Sequence, residues 1–255
     1  MEFTMAHTAA PQGAQAALRA LRLLKLFSAE EPELTLAEVS QRAGLNKTTA
    51  HRLLKALHSE GMLERNSGSG AYRLGPALMA LGVQALSSND LRLRARPLLK
   101  RLAEESGETA TLEVPIDDSM LILDEVTGGR FLGAGGNVGT RWPMHATSTG
   151  KVLIAFDEVR AQGLAPHFAS LTHRTITARE QLETQLGEIR RRGFAETVDE
   201  LEDGFSGVAV VVRGGAGDLL GALSICGPTQ RFPADRRARF GSVLCSAAER
   251  LQPGY

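Results

Sequence analysis

The chain has 255 residues, 43% of them hydrophobic, which is enough for two domains with a core each. Its 29 lysines and arginines balance 29 aspartates and glutamates, so total charge neither demands nor excludes a polyanionic partner and its distribution must decide. Two cysteines without a CxxC pair or metal-ligand spacing argue against a disulfide framework or zinc ribbon, and no apolar run approaches the roughly 20 residues of a membrane span.

MEFTMAHTAAPQG lacks the charged start and apolar core of a signal peptide, and with the sparse cysteines this points to a reducing, cytoplasmic setting without membrane attachment. Met1-Glu2-Phe3 ahead of Thr4-Met5 reads as a cloning remnant and is kept out of the fold argument. Ala16 to Phe27 places Leu18, Leu21 and the group Leu24, Leu26, Phe27 at helical spacing, with Arg19, Arg22 and Lys25 opposite, which predicts an amphipathic helix. Thr35 with Glu38 three residues on forms a capping box for a second helix, stopped at Gly44. Asn46 caps a third helix carrying Ala50, Leu53, Leu54 and Leu57 at i, i+3, i+4, i+7 and ending at Gly61. MLERNSGSGAYRL then reads as a two-stranded hairpin, or wing, around a Gly/Ser tip.

Pro76 opens a further helix, PALMALGVQALS, separated by SSND from the helical LRLRARPLLKRLAEESG. Beyond it TLEVPI, MLILDEV, GVAVVVR and GALSICG read as strands, interrupted by helical STGKVLIAF, REQLETQLGEIRRRG and RRARFGSVLCSAAERL. The expected fold class is α+β. A winged helix-turn-helix spans 14–75, a linker helix 76–90, and a curled antiparallel sheet with flanking helices 91–255.

Periodicity alone leaves the second and third helices open to two readings, a helix-turn-helix or a helical hairpin with a solvated charged face. Local charge favours the first. Between residues 42 and 73 stand Arg42, Lys47, Arg52, Lys55, Arg65 and Arg73 against only Glu60 and Glu64. Lys47, Thr48, Thr49, His51 and Arg52 fill the first turns of the third helix, the part that reaches base edges in a major groove. Arg52 suits bidentate guanine readout and Lys55 a phosphate contact; Asn46, Thr48 and Thr49 can bond phosphate, with Arg65 and Arg73 doing so from the base of the wing.

These motifs, with RALRLLKLF, the YRLG of residues 72–75, MHATSTGKVLIA, RRGFAETVDELEDGFSGVAV and ALSICGP, follow in an order and spacing that resembles the IclR family of bacterial transcription regulators from about Ala16 to Gln252. The resemblance implies a winged-helix N-domain, a linker helix and a C-terminal effector domain related to the GAF/PAS group. It also implies double-stranded operator DNA and a small-molecule effector as partners, and homodimers that often pair into tetramers. Its effector pocket maps onto Phe131, Ala134, Ser148, Thr149, Thr197, Phe205, Gly207, Ser224 and Cys226. Ser148 and Thr149 fall where family members offer groups to an effector carboxylate, and an anion suits the free N–H groups of a helix start. Members that recognise small 2-oxo acids carry an acidic residue where this chain has Thr197, a cysteine where it has Gly207 and a serine where it has Cys226. These departures point to a larger, partly apolar acid, such as an aromatic carboxylate, with Gly207 leaving room for it.

An enzyme acting on a small acid, with the winged helix as an interaction module, is the rival reading, and a purely structural winged helix a third. Gly150-Lys151 fails as a P-loop because His145 stands where the first glycine belongs and Val152 where Ser or Thr would bind Mg²⁺. GAGGNV fails as a dinucleotide loop at Val138. Ser148 or Cys226 with His145 lacks an elbow or an orienting carboxylate, and His145, His173 and Glu200 lack metal-ligand spacing. No catalytic residue, cofactor or metal is therefore expected. Gly150 and Gly204 read equally as backbone requirements or ligand contacts, Lys151 as an exposed helix residue, Cys245 as a small core residue, and Trp142 as a loop anchor or subunit contact.

Overall fold

A computed structural model describes residues 14–28, 31–129 and 137–251. Met1 to Thr4 and the glycines of GAGG lie outside the described residues. Contacts divide the chain into two compact units, residues 1–88 and 89–255.

In the first unit α1 (Gln15–Leu24) is shorter than expected, because the Lys25 N–H turns back to Arg22 and Leu23. Its inward residues also differ. Ala20, Leu23, Leu24 and Phe27 meet the core, while Leu18 and Leu21 are 39% and 56% exposed. The Thr35–Glu38 capping box starts α2 (Leu36–Arg42), with Thr35 N–H donating to Glu38 Oε2 at 2.7 Å. Asn46 Oδ1 accepts from Thr49 N–H at 2.8 Å and starts α3 (Lys47–Ser59), which buries Ala50, Leu54 and Leu57. The wing is β2 (Leu63–Arg65) and β3 (Tyr72–Leu74), and β1 (Glu33–Leu34) pairs with the other edge of β3. Two residues show no alternation, so β1 left no sequence signal. Leu34, Val39, Leu54, Leu63 and Tyr72 complete the core, each buried aliphatic side chain contributing about 1.5–3 kcal/mol of transfer free energy. Helix α4 (Pro76–Ser87) follows with no buried residue.

The second unit opens with α5 (Asp90–Ser106), capped by Asn89, which continues through Pro97. A six-stranded antiparallel sheet follows in the order β6-β5-β4-β9-β8-β7. Its members are β4 (Thr109–Ile116), β5 (Ser119–Val126), β6 (Arg141–Pro143), β7 (Ala195–Val198), β8 (Phe205–Arg213) and β9 (Leu219–Pro228). Helices α6 (Ser148–Phe156), α7 (Glu158–Gln162), α8 (Arg179–Arg192) and α9 (Ala234–Glu249) complete it. The short β6, β7 and α7 were not foreseen. One core layer joins α6 and α8 to the sheet through Val152, Leu153, Leu182, Leu186, Ile189, Ala209 and Ala222. Alternate residues, Ala110, Leu112, Val208, Val210, Leu223 and Ile225, are buried as well, so the central strands are covered on both faces. Two buried carboxylates tie helices to this framework: Asp124 to Arg96 of α5 at 2.6 Å, and Glu108 to Arg231 at 2.6 Å and Arg236 of α9 at 3.3 Å. Cys245 is half-buried on α9, beside buried Leu244 and Ala248.

Candidate functional site

Helix α3 turns its apolar stripe inward, which leaves Lys47, Thr48, His51, Arg52 and Lys55 exposed on its outer face and Thr49 half-buried. None of Lys47, His51, Arg52 and Lys55 is engaged by a partner among the described residues. The flanking cations differ. Arg42 makes a two-pronged pair with Glu31 at 2.7 Å for each prong, and Arg73 pairs with Glu64, opposite it on the wing, at 2.6 Å. Each arginine is held above its ordinary pKa by the carboxylate's hydrogen bond. Arg65 lies over the Tyr72 ring and donates to Gly70 O at the wing tip. The Asn46 carbonyl oxygen is spent on capping, so only its amide N–H₂ is left for a phosphate.

In the second unit a cavity of about 250 Å³ opens between the sheet and the start of α6. Strand register builds its floor. Thr197, Gly207, Cys226 and Thr109 lie side by side across β7, β8, β9 and β4, and the next row joins Ser224, Thr111 and Glu125. Ser148, Thr149 and Phe205 also line the cavity, whereas Phe131 and Ala134 lie outside the described residues. Thr147 Oγ1 accepts from Gly150 N–H at 3.1 Å as the cap of α6, which leaves the Ser148 and Thr149 N–H groups without an intrahelical acceptor.

Two glycines permit this approach. A Cβ on Gly150 would stand 2.3 Å from Met144 backbone, and one on Gly207 would stand 2.9 Å from Ser148 Oγ. The space beside Gly207 is therefore used largely by the helix start, a correction to the expectation that it stands open for ligand. Gly204 has φ +83° and open space around it, a backbone requirement.

Glu113 was not anticipated. It is buried in the cavity wall, where Oε2 accepts from Thr149 Oγ1 at 2.6 Å and Oε1 from Thr111 Oγ1 at 2.9 Å. Thr111 Oγ1 also shares a hydrogen with Ser224 Oγ at 2.7 Å. Burial pushes the Glu113 carboxyl above its ordinary pKa, and the two hydroxyl donors pull it back in part. Trp142, the only tryptophan of the chain, lines the cavity too. The alternation of TATLEV held the clue: Thr109, Thr111 and Glu113 form the polar side of a strand whose other side, Ala110 and Leu112, is core.

Lys151 corrects another expectation. It is 0% exposed, and its ammonium donates to Glu200 at 2.5 Å and to Gln185 at 2.8 Å. Burial draws the Lys151 pKa down and the Glu200 pKa up, against the attraction of the pair. His145 is stacked on Phe168, with Nε2 on Ala169 O, and burial lowers its pKa. Burial pushes the Cys226 thiol far above the range in which a thiolate nucleophile forms. Among the described residues no group of three or more His, Cys, Asp or Glu is placed to hold a metal, and no helix is long and apolar enough to cross a membrane. A separate cavity of about 270 Å³, lined by Met144, His145, Ile154, Leu164 and Phe168 among others, contains none of the anticipated site residues.

The IclR helix-turn-helix domain model matches residues 16–67, and the model for the C-terminal region of the bacterial transcriptional regulator IclR matches residues 83–252. The chain belongs to the IclR family. Among its relatives, the glycerol operon regulatory protein of Streptomyces griseus is 36% identical over 85% of this chain and 86% of that protein. The HTH-type transcriptional regulator XynR of Escherichia coli is 33% identical over 91% of this chain and 94% of its own length. A crystal structure of an IclR homolog complexed with 4-hydroxybenzoate, from Microbacterium hydrocarbonoxydans, is 28% identical with a TM-score of 0.73, covering 92% of this chain and 97% of that one. This IclR-family chain is a transcription regulator with a helix-turn-helix and an effector domain, and not an enzyme.

Proposed function

We propose that this regulator grips double-stranded operator DNA with α3 and the wing, and that a small organic acid in the α6 cavity sets its grip. The observation that carries the reading is the contrast in charge pairing. Arg42 and Arg73 are neutralised by carboxylates, whereas Lys47, Arg52 and Lys55 face outward without a partner among the described residues. In this reading Arg52 and His51 reach base edges, and Asn46, Lys47, Thr48, Thr49, Lys55 and Arg65 position the backbone. Arg73 joins them only by exchanging Glu64 for phosphate.

The effector side rests on the cavity. Ser148 presents its hydroxyl, and Ser148 and Thr149 present N–H groups without an intrahelical acceptor at a helix start, while Trp142, Phe205 and Ile122 supply apolar walls. The homolog complexed with 4-hydroxybenzoate supports an aromatic acid. Thr197, Gly207, Ser224 and Cys226 shape the floor. A second ligand class, a neutral polyol, is favoured by the lining itself, which carries seven Ser/Thr hydroxyls and Glu113, Glu125 and Glu202 with no Lys, Arg or His among the described residues.

The exposed Met79, Leu81 and Val83 of α4, at 68%, 50% and 63%, support a homodimer, and the family resemblance extends this reading to a dimer of dimers. Such an apolar helix is stable in water when a second copy covers it. Residues 14–75 then act as the DNA-binding domain, 76–90 as linker and 91–255 as effector and oligomerisation domain, in the cytoplasm where operator DNA is found.

Two titrations test this. Fluorescence anisotropy of labelled upstream DNA against a scrambled duplex should show preference for the former. Quenching of Trp142, which reports the cavity directly, should single out an acid from a panel of aliphatic and aromatic carboxylates and polyols. Equal weak binding of both duplexes would refute the operator reading, and a response to polyols alone would replace the acid.

A further inference from the structure

An acid seated on the start of α6 would meet a second carboxyl group. Thr149, which lines the cavity, already donates its hydroxyl hydrogen to Glu113 at 2.6 Å. A ligand carboxylate within reach of Thr149 therefore lies within about two hydrogen bonds of Glu113, and two carboxylates so placed in a desolvated site do not both stay ionised. Hydrogen-bond direction leads to the same point. While Glu113 is ionised it accepts the Thr149 hydroxyl hydrogen, and that hydrogen is not available to a ligand.

Among the described residues, the groups around Glu113 offer no other relief. Its own strand presents Thr111, and β9 presents Ser224 and Cys226, the latter a thiol held protonated by burial. Strand β5 presents Ile122 and Glu125, the second of which accepts from Asn137 Nδ2 at 3.0 Å. The segment before β8 presents Glu202 at the exposed rim. Helix α6 carries one cation, Lys151, and its ammonium is turned to Glu200 and Gln185 instead.

We propose that Glu113 is the specificity-determining residue of the cavity and that the site takes up an organic acid only together with one proton, held on Glu113. The proton comes from solvent and sits on Glu113 Oε2. Glu113 then donates to Thr149 Oγ1, and the Thr149 hydrogen turns into the cavity to meet the ligand carboxylate, which stays ionised. No bond other than the O–H of Glu113 is made. With Glu113 ionised, the same wall instead favours a neutral hydroxyl ligand. This inference rests on the acid-effector reading above and adds to it the proton and the residue that holds it. Burial holds the Glu113 carboxyl above its ordinary pKa, and a bound anion raises it further.

The test is calorimetric titration of the full-length protein with 4-hydroxybenzoate and with its neutral isostere 4-hydroxybenzyl alcohol, from about pH 6 to about pH 8.5, in buffers of different ionisation enthalpy. Acid affinity should be constant below the empty-site pKa of Glu113 and fall by up to about tenfold per pH unit above it, with up to one proton taken up per site. The alcohol should show no such fall. Glu113→Gln, which mimics the protonated group, should bind the acid with a flat pH profile and no proton uptake. The buffer comparison needs only the wild-type protein, so it decides even if the variant folds poorly. Acid binding that is flat with pH and takes up no proton in the wild type would overturn the role of Glu113 and leave the acid reading standing. Binding of the alcohol but never the acid, or of neither, would overturn both.

Discussion

Replacing Lys151 by methionine removes the cation from a pair whose side chains are 0% and 8% exposed, with nearly the same volume kept. Glu200 is left facing Gln185 and the core layer of α6 with no opposite charge at 2.5 Å. Removing one member of a buried pair costs about 3–5 kcal/mol, because the remaining charge stays desolvated. At about 2–4 °C per kcal/mol for a unit of this size, the melting temperature should drop by about 6–20 °C. The loss should depend on pH. In the variant the Glu200 carboxyl, already raised by burial, loses the ammonium that opposed that rise. A carboxyl whose folded pKa lies above its unfolded value weakens the fold as pH rises from the unfolded value through the folded one. The variant should therefore come closest to wild type at the acidic end and fall furthest behind at neutral pH and above. Thermal melts followed by circular dichroism between about pH 5 and about pH 8 measure this, with Lys151→Met combined with Glu200→Gln recovering much of the loss. A deficit under about 1 kcal/mol without pH dependence would mean instead that water reaches the pair and screens it.

Arg52→Ala should cost about 1–3 kcal/mol on the cognate operator and relax its specificity, whereas Lys55→Ala should weaken all DNA alike. Anisotropy titrations against salt should give Lys55→Ala a slope of log K against log salt shallower by about 0.9 per subunit. Equal losses on operator and random duplex for both variants would sink that division of labour. Glu64→Ala frees Arg73 from its partner at 2.6 Å and should strengthen binding to random DNA; unchanged binding would place Arg73 away from the phosphates. Gly207→Ala drives a Cβ to within 2.9 Å of Ser148 Oγ, so it should displace the helix start and weaken any acid at least severalfold, read by Trp142 fluorescence, with an unaffected affinity arguing that the acid does not touch Ser148.

The DNA-binding half was legible because its signals are local. Thr35 with Glu38 and Asn46 with Thr49 are contacts over three residues, and the stripe of Ala50, Leu54 and Leu57 has the helical period. Where several leucines competed, as in α1, spacing alone did not tell Leu23 from Leu21, because the choice of inward face depends on α3 and the wing packed against it. In the other half the strands were readable but their partners were not. Lys151 looked like a surface lysine because Glu200 stands 49 residues away, and Glu113 passed unnoticed because Thr149 stands 36 away. The seven effector residues that fall within the described parts do meet around one cavity, a grouping that came from resemblance and that strand register explains through rows across β7, β8, β9 and β4. Trp142 was ambiguous in sequence because β6 has only three residues, and its place at the cavity depends on pairing with β5.

Coupling between the cavity and the operator surface is measured by one linked titration. Operator affinity is measured by anisotropy with and without a saturating amount of the acid that quenches Trp142, and acid affinity is measured by that quenching with and without saturating operator. Coupling requires the acid to shift operator affinity and the operator to shift acid affinity by the same factor, about 5–150-fold for typical allosteric regulators. An acid that fills the cavity while operator affinity stays constant would show that the acid does not control DNA binding.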